Sequence, residues 1–215
     1  MALTNRRSRD RAYGQDRPPT AVDRFGVWLS ARQVRRSLPS FAGRRVADIG
    51  CGYHASFART VLSDVSRLVL LDVALAPELK EHPRVTVIEG NLPEAMAAVP
   101  DQSLDVVVCN SVLEHLWEPL MALREFHRVL GPAGTLLVNV PSWRGKPFLE
   151  MSAFRLGRSP AEEIDDHKMY YDPRDLWPLL VRSGFPPHGI RCFRHKFGLN
   201  TFAHCRKPAA AGVVE

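Results

Sequence analysis

The run Asp48-Ile49-Gly50-Cys51-Gly52 puts a carboxylate two residues ahead of two closely spaced glycines. Such glycines permit a tight turn and let backbone approach a ligand. Asp48 favours a cationic group such as an ammonium and would repel a pyrophosphate. The segment Gly50-Cys51-Gly52-Tyr53-His54-Ala55 also fits the dinucleotide pattern G-x-G-x-x-A. The match alone is weak, and the charge of Asp48 argues against it. Four further polar residues stand just after apolar runs: Asp72, Asn91, and the pair Asn110 and Ser111. A carboxylate at Asp72 can accept from both hydroxyls of a ribose diol. His115 follows the last of these runs, near where a second substrate would sit. An imidazole titrates near neutrality and can take a proton from a hydroxyl. His167, in the dense run Asp165-Asp166-His167-Lys168-Met169-Tyr170-Tyr171, is a second candidate base.

These residues need elements to hold them. Apolar runs at 45–49, 68–72, 85–89, 104–109 and 136–140 read as strands. Helical patterns alternate with them at 55–62, 92–99 and 119–130, the last with Gly131 as the residue beyond its end. A leading helix over 21–38 carries the stripe Val22, Phe25, Trp28, Leu29 and Leu38. The alternation predicts an α/β fold with a doubly wound, mostly parallel sheet covered on both faces. A helix over 173–183 and two strands, 190–195 and 199–206, follow, the strands forming an antiparallel pair at the sheet edge. Ligands of open α/β sheets bind beyond the carboxyl ends of the strands, where the polar residues above stand.

Taken in order, the motifs resemble a known family. Val46-Ala47-Asp48-Ile49-Gly50-Cys51-Gly52 is similar to the first motif of class I, Rossmann-like S-adenosylmethionine-dependent methyltransferases. Asp72 resembles that family's ribose position. Glu89-Gly90-Asn91-Leu92-Pro93 resembles its adenine-side segment, with Asn91 where Asp is commoner. The runs 103–116 and 124–136 resemble its fourth-strand motif and the helix-turn-strand after it. His54 departs from the pattern, standing where a third glycine is frequent. The resemblance implies a seven-stranded sheet whose last strand is antiparallel. It implies S-adenosyl-L-methionine as cofactor, held by Asp48, Gly50, Cys51, Gly52, Asp72, Asn91, Asn110 and Ser111, and in-line methyl transfer. Some members carry Glu-x-x-Glu-His as metal ligands. Here Ser111 replaces the first of these before Glu114-His115, so no metal is expected.

The expected product is a methylated small-molecule acceptor, modified on a hydroxyl oxygen. Nucleic acid is a possible but less favoured partner: an RNA methyltransferase using a basic arm is one alternative, a non-catalytic S-adenosylmethionine-binding protein the other. The charge motivates the first. The net charge is +6, yet residues 1–45 hold 11 Lys and Arg against 3 Asp and Glu, and the remainder 18 against 20. Basic arms attract nucleic acid. The expected organisation is a flexible basic arm at 1–19, one domain over 20–207 and a flexible tail at 208–215. Within the domain, 141–171 forms an insertion over the acceptor, with Trp143, Phe148 and Phe154 as pocket-lining aromatics. Four cysteines, Cys51, Cys109, Cys192 and Cys205, form no C-x-x-C pair. They suit a reducing cytoplasm. No apolar run reaches the roughly 18 residues of a membrane span, and the opening residues lack an apolar signal core.

Overall fold

The computed structural model describes residues 10–151 and 164–210. Seven strands form one sheet: β1 (Arg45–Ile49), β2 (Arg67–Asp72), β3 (Val85–Glu89), β4 (Leu104–Asn110), β5 (Leu130–Pro141), β6 (Ile190–His195) and β7 (Asn200–Arg206). Their order is β3-β2-β1-β4-β5-β7-β6. β3, β2, β1, β4 and β5 pair in parallel, while β7 runs antiparallel to both β5 and β6. The seven-stranded arrangement with its antiparallel last strand is therefore as expected.

The strand order reverses between β1 and β4. Connections leave the two strands on opposite sides there, and a crevice opens beyond their carboxyl ends. Asp48 on β1 lies level with Val108 on β4, so the glycine motif and Asn110 open onto the same crevice. Alternate residues of the strands supply two cores. Ala47, Ile49, Val107 and Cys109 pack with Phe126, Leu176, Leu180 and Phe185 on one face. Val46, Val106 and Val108 pack with Val34, Phe41, Phe57 and Phe202 on the other. With both faces covered, the central strands are continuous apolar runs.

The helices are α1 (Ala21–Ser37), α2 (Ser56–Arg59), α3 (Pro77–Lys80), α4 (Pro119–Val129), α5 (Lys146–Glu150) and α6 (Pro173–Arg182). α1 starts at a capping box, with Thr20 and Asp23 each satisfying the other's backbone N–H. Of its expected apolar stripe, Leu38 enters the core beside Phe41 and Phe57, whereas the N-terminal part does not. Ser30 and Val34 are its buried residues, while Phe25 and Trp28 are exposed and stack on each other with centroids 5.8 Å apart. Helix α2 is shorter than the span expected over 55–62, and the one over 92–99 is a 3-10 turn, Glu94–Ala98. Gly131 is not a helix-terminating residue. Leu130 is already extended, so α4 runs directly into β5, and the left-handed residue in that turn is Ala133. Helix α6 does end where expected, at a left-handed Gly184.

The segment expected to be a loose arm contributes to the body over its described part. Ala12 is buried, and the Tyr13 carbonyl accepts from the Tyr53 N–H at 2.9 Å. Residues 1–9 of that arm, 211–215 of the tail, and Phe154 lie outside the described residues. Among the described residues, no helix is long and apolar enough to cross a membrane.

Candidate active site

The turn after β1 carries the first half of the site. Gly50 and Gly52 both adopt left-handed backbone, φ 67° and 73°. A Cβ on Gly50 would fall 2.2 Å from Val112 Cγ2, and one on Gly52 3.2 Å from the Tyr13 carbonyl oxygen. Larger residues are thus excluded by conformation and by space. The turn is fastened to β2: the Gly50 N–H donates to Leu71 O at 2.7 Å, and the Gly52 N–H to Asp72 Oδ2 at 2.8 Å. Asp72 Oδ1 accepts from the Val73 N–H at 2.8 Å. These bonds fix the carboxylate's orientation at the turn.

Asp48 is 3% exposed, and its Oδ2 is buried without a hydrogen-bond partner. Burial, then the field of Asp72, pushes its carboxyl up from 3.8 to about 7, against a bond from the Ala58 N–H. Asn110 Oδ1 is likewise buried without a partner. Two unsatisfied acceptors beside a glycine cradle fit a ligand that brings donors and positive charge. Cys51 is held as a thiol, its pKa pushed well up by burial and by Asp48 and Asp72. Ser111 is left-handed, and its N–H donates to Asn139 O at 2.7 Å. All eight expected cofactor residues line one cavity of about 850 Å³.

The same cavity continues to the second half. His115 sits on a 3-10 turn, Leu113–His115, just after β4. Its Nδ1 lies 3.0 Å from Asp166 Oδ2. Burial alone would raise the Asp166 carboxyl, but bonds from His115 and Lys168 hold it well below the usual carboxylate range. The His167 ring packs edge-on against His115 at 4.8 Å and against Tyr170 at 5.3 Å. The two expected histidines, from segments 52 residues apart, therefore meet. Glu114, 1% exposed, joins them, and ligand-type atoms of Glu114, His115 and His167 lie within 4.8 Å of one another. No metal was expected because Ser111 replaces a carboxylate. His167 supplies a third donor from the insertion, giving two imidazoles and a carboxylate, a set suited to a divalent cation.

Of the expected pocket aromatics, Phe148 lines the cavity, whereas Trp143 packs on Tyr170 at 5.6 Å. Several lining residues carried no sequence signal for a site: Tyr13, Gly26, Trp117, and Lys196 with Phe197; Phe25 stood out only as part of an apolar helix face. Burial pulls the Lys196 amine down to about 8, although Glu114 favours its charged form.

Comparison with known proteins gives a consistent set of matches. A family model described as a methyltransferase domain matches residues 23–188. A probable S-adenosylmethionine-dependent methyltransferase of Mycobacterium tuberculosis is 37% identical over 169 residues, covering 76% of this chain and 57% of that protein. The chain thus spans little more than half the length of that relative. A ubiquinone biosynthesis O-methyltransferase of Vibrio cholerae is 27% identical, covering 75% of this chain and 69% of that protein. Among solved structures, an S-adenosylmethionine-dependent methyltransferase from Archaeoglobus fulgidus superposes with a TM-score of 0.61 at 16% identity, covering 84% of this chain and 94% of that one.

Proposed function

The chain belongs to the S-adenosylmethionine-dependent methyltransferase family, and from that premise we propose that it transfers a methyl group to a hydroxyl oxygen of a small-molecule acceptor, with His115 as general base. One observation carries this reading: a single cavity joins the glycine cradle and Asp72 to the His115–Asp166 pair. S-adenosylmethionine bound there supplies an electrophilic methyl on a sulfonium. Asp72 would accept from its ribose hydroxyls, Asp48 would offset the charge of its ammonium, and Asn91 and Leu92 would hold its adenine. The cavity's volume suits a cofactor together with a small acceptor.

His115 Nδ1 donates to Asp166, which selects the tautomer with Nε2 as the basic nitrogen. Nε2 removes the acceptor's proton, and Asp166 stabilises the imidazolium that results. The remaining work is positioning, since an in-line displacement needs its reactants aligned more than activated. The cavity mouth favours a small molecule over RNA. Lys196 is the one Lys or Arg among the described residues that line it, little positive charge for a phosphate backbone, while Phe25, Trp117, Phe148 and Phe197 add apolar surface.

The test is His115→Ala. S-adenosylmethionine affinity should stay near wild type while turnover falls roughly 10²–10⁴-fold, the cost of losing a general base. Unchanged turnover would remove His115 as base, and binding without turnover in the wild type would favour a non-catalytic protein. The Glu114–His115–His167 set supports a second reading, a cation that polarises the acceptor hydroxyl. Loss of turnover on chelation, restored by a divalent metal, would select it.

A further inference from the structure

The tip between β6 and β7 holds an unusual backbone. Lys196 and Phe197 are consecutive left-handed residues, φ 49° and 60°, and neither is glycine. Left-handed backbone is strained for residues that carry a Cβ, and such strain persists where the surrounding structure holds it in place. Here Phe197 stands at the cavity rim, 86% exposed, and the Lys196 side chain lines the cavity interior. Helix α1 faces it. Gly26 lies in the helix interior, where glycine is disfavoured relative to alanine. A Cβ there would meet Lys196 Nζ at 3.9 Å, in ordinary van der Waals contact, so the amine rests against this face of α1.

We propose that Lys196 selects the acceptor, its ammonium holding the carboxylate of an aromatic acid whose ring rests on the rim formed by Phe25, Trp117 and Phe197. This rests on the methyltransferase reading above. Lys196 is the one Lys or Arg among the described residues that line the cavity, so it can balance a single negative charge. A phosphate dianion would need more donors than it offers. Flat apolar walls on the rim suit a planar ring, because aromatic faces bury much area at low entropic cost. The reacting hydroxyl is carried on the same molecule, so the salt link sets its distance from His115. No chemistry is assigned to Lys196; it is a positioning and specificity residue.

The test uses the full chain saturated with S-adenosylhomocysteine and two probes, benzoate and its uncharged isostere benzamide, titrated by NMR. Benzoate should bind about tenfold or more tightly than benzamide. That ratio should collapse towards one in Lys196→Met and survive in Lys196→Arg, with S-adenosylhomocysteine affinity alike in all three proteins. A ratio near one in the wild type, a ratio that survives Lys196→Met, or no benzoate binding at roughly 10 mM, weaker than about 3 kcal/mol, would overturn the proposal. Failure of the wild type to bind S-adenosylhomocysteine would instead overturn the underlying reading, and this inference with it.

Discussion

Asp48→Asn separates what the first motif does for stability from what it does for binding. In the free protein the Asp48 carboxyl is buried beside Asp72 and titrates near 7 rather than 3.8. The folded state therefore keeps a proton that the unfolded state has lost between these values. Stability falls as pH rises through that window, and above it the full cost is present. At ~1.4 kcal/mol per pH unit the cost reaches about 4 kcal/mol as an upper bound, and relaxation of the surroundings reduces it to roughly 1–3 kcal/mol. Asparagine removes the charge at nearly constant shape. The free variant should thus melt several degrees higher than wild type at pH 8, at about 2–4 °C per kcal/mol for this size. The gain should vanish near pH 4. S-adenosylmethionine affinity should move the other way. The wild type should lose up to about tenfold per pH unit below 7 as Asp48 protonates, whereas the variant should bind weakly and without that dependence. Differential scanning fluorimetry across pH and titration calorimetry read both quantities. A variant less stable at pH 8, or one with wild-type affinity, would refute the argument that Asp48 is a buried charge kept for the cofactor's ammonium.

Asp72→Ala should weaken S-adenosylmethionine by roughly 1.5–3 kcal/mol in calorimetry, the worth of charge-assisted ribose bonds. Asp166→Asn should lower turnover while leaving cofactor affinity near wild type, because it disturbs only the orientation and stabilisation of His115; steady-state kinetics on the true acceptor read this. Lys196→Met should raise the melting temperature at pH 7, because the amine's descent from 10.5 to about 8 makes its protonated form destabilising there. The sign follows from the unfolded chain binding more protons between those values, so wild-type stability rises with pH across that interval and the difference closes above it. Deletion of residues 1–19 should lower both melting temperature and cofactor affinity, since it takes the Tyr13 carbonyl from the Tyr53 N–H beside Gly52. A lost bond that strands a donor costs about 1–3 kcal/mol.

The sheet and the cofactor half of the site were legible because one local rule governs both. Central parallel strands are unbroken apolar runs, so their ends are visible, and ligands bind at those ends. Asp48, Asp72, Asn91 and Asn110 stand out that way and line one cavity, and β1 and β3 match to the residue. The acceptor half was less legible because it is assembled from distant segments. His115 and His167 stood out as residue types, but their meeting depends on how the insertion folds back, as does the union with Glu114. The stripe on α1 was right for Leu38, which is buried, but helical periodicity reports an apolar face and not what that face covers: Val22, Phe25 and Leu29 line a cavity. Tyr13 read as part of a polar arm, and its role rests on a backbone carbonyl, which residue type does not reveal. Lys196 lacked any signal, since a lysine in a short β connection is ordinary until its backbone and its neighbour Gly26 are seen together.

The central claim is methyl transfer to a small molecule. Incubating the chain with S-adenosylmethionine labelled on its methyl group, separately against the small-molecule and RNA fractions of a cell extract, addresses it directly. Label is expected in the small-molecule fraction, abolished in Asp72→Ala at limiting cofactor and strongly reduced in His115→Ala. Label in the RNA fraction, or none in either while calorimetry shows the cofactor bound, would contradict the claim.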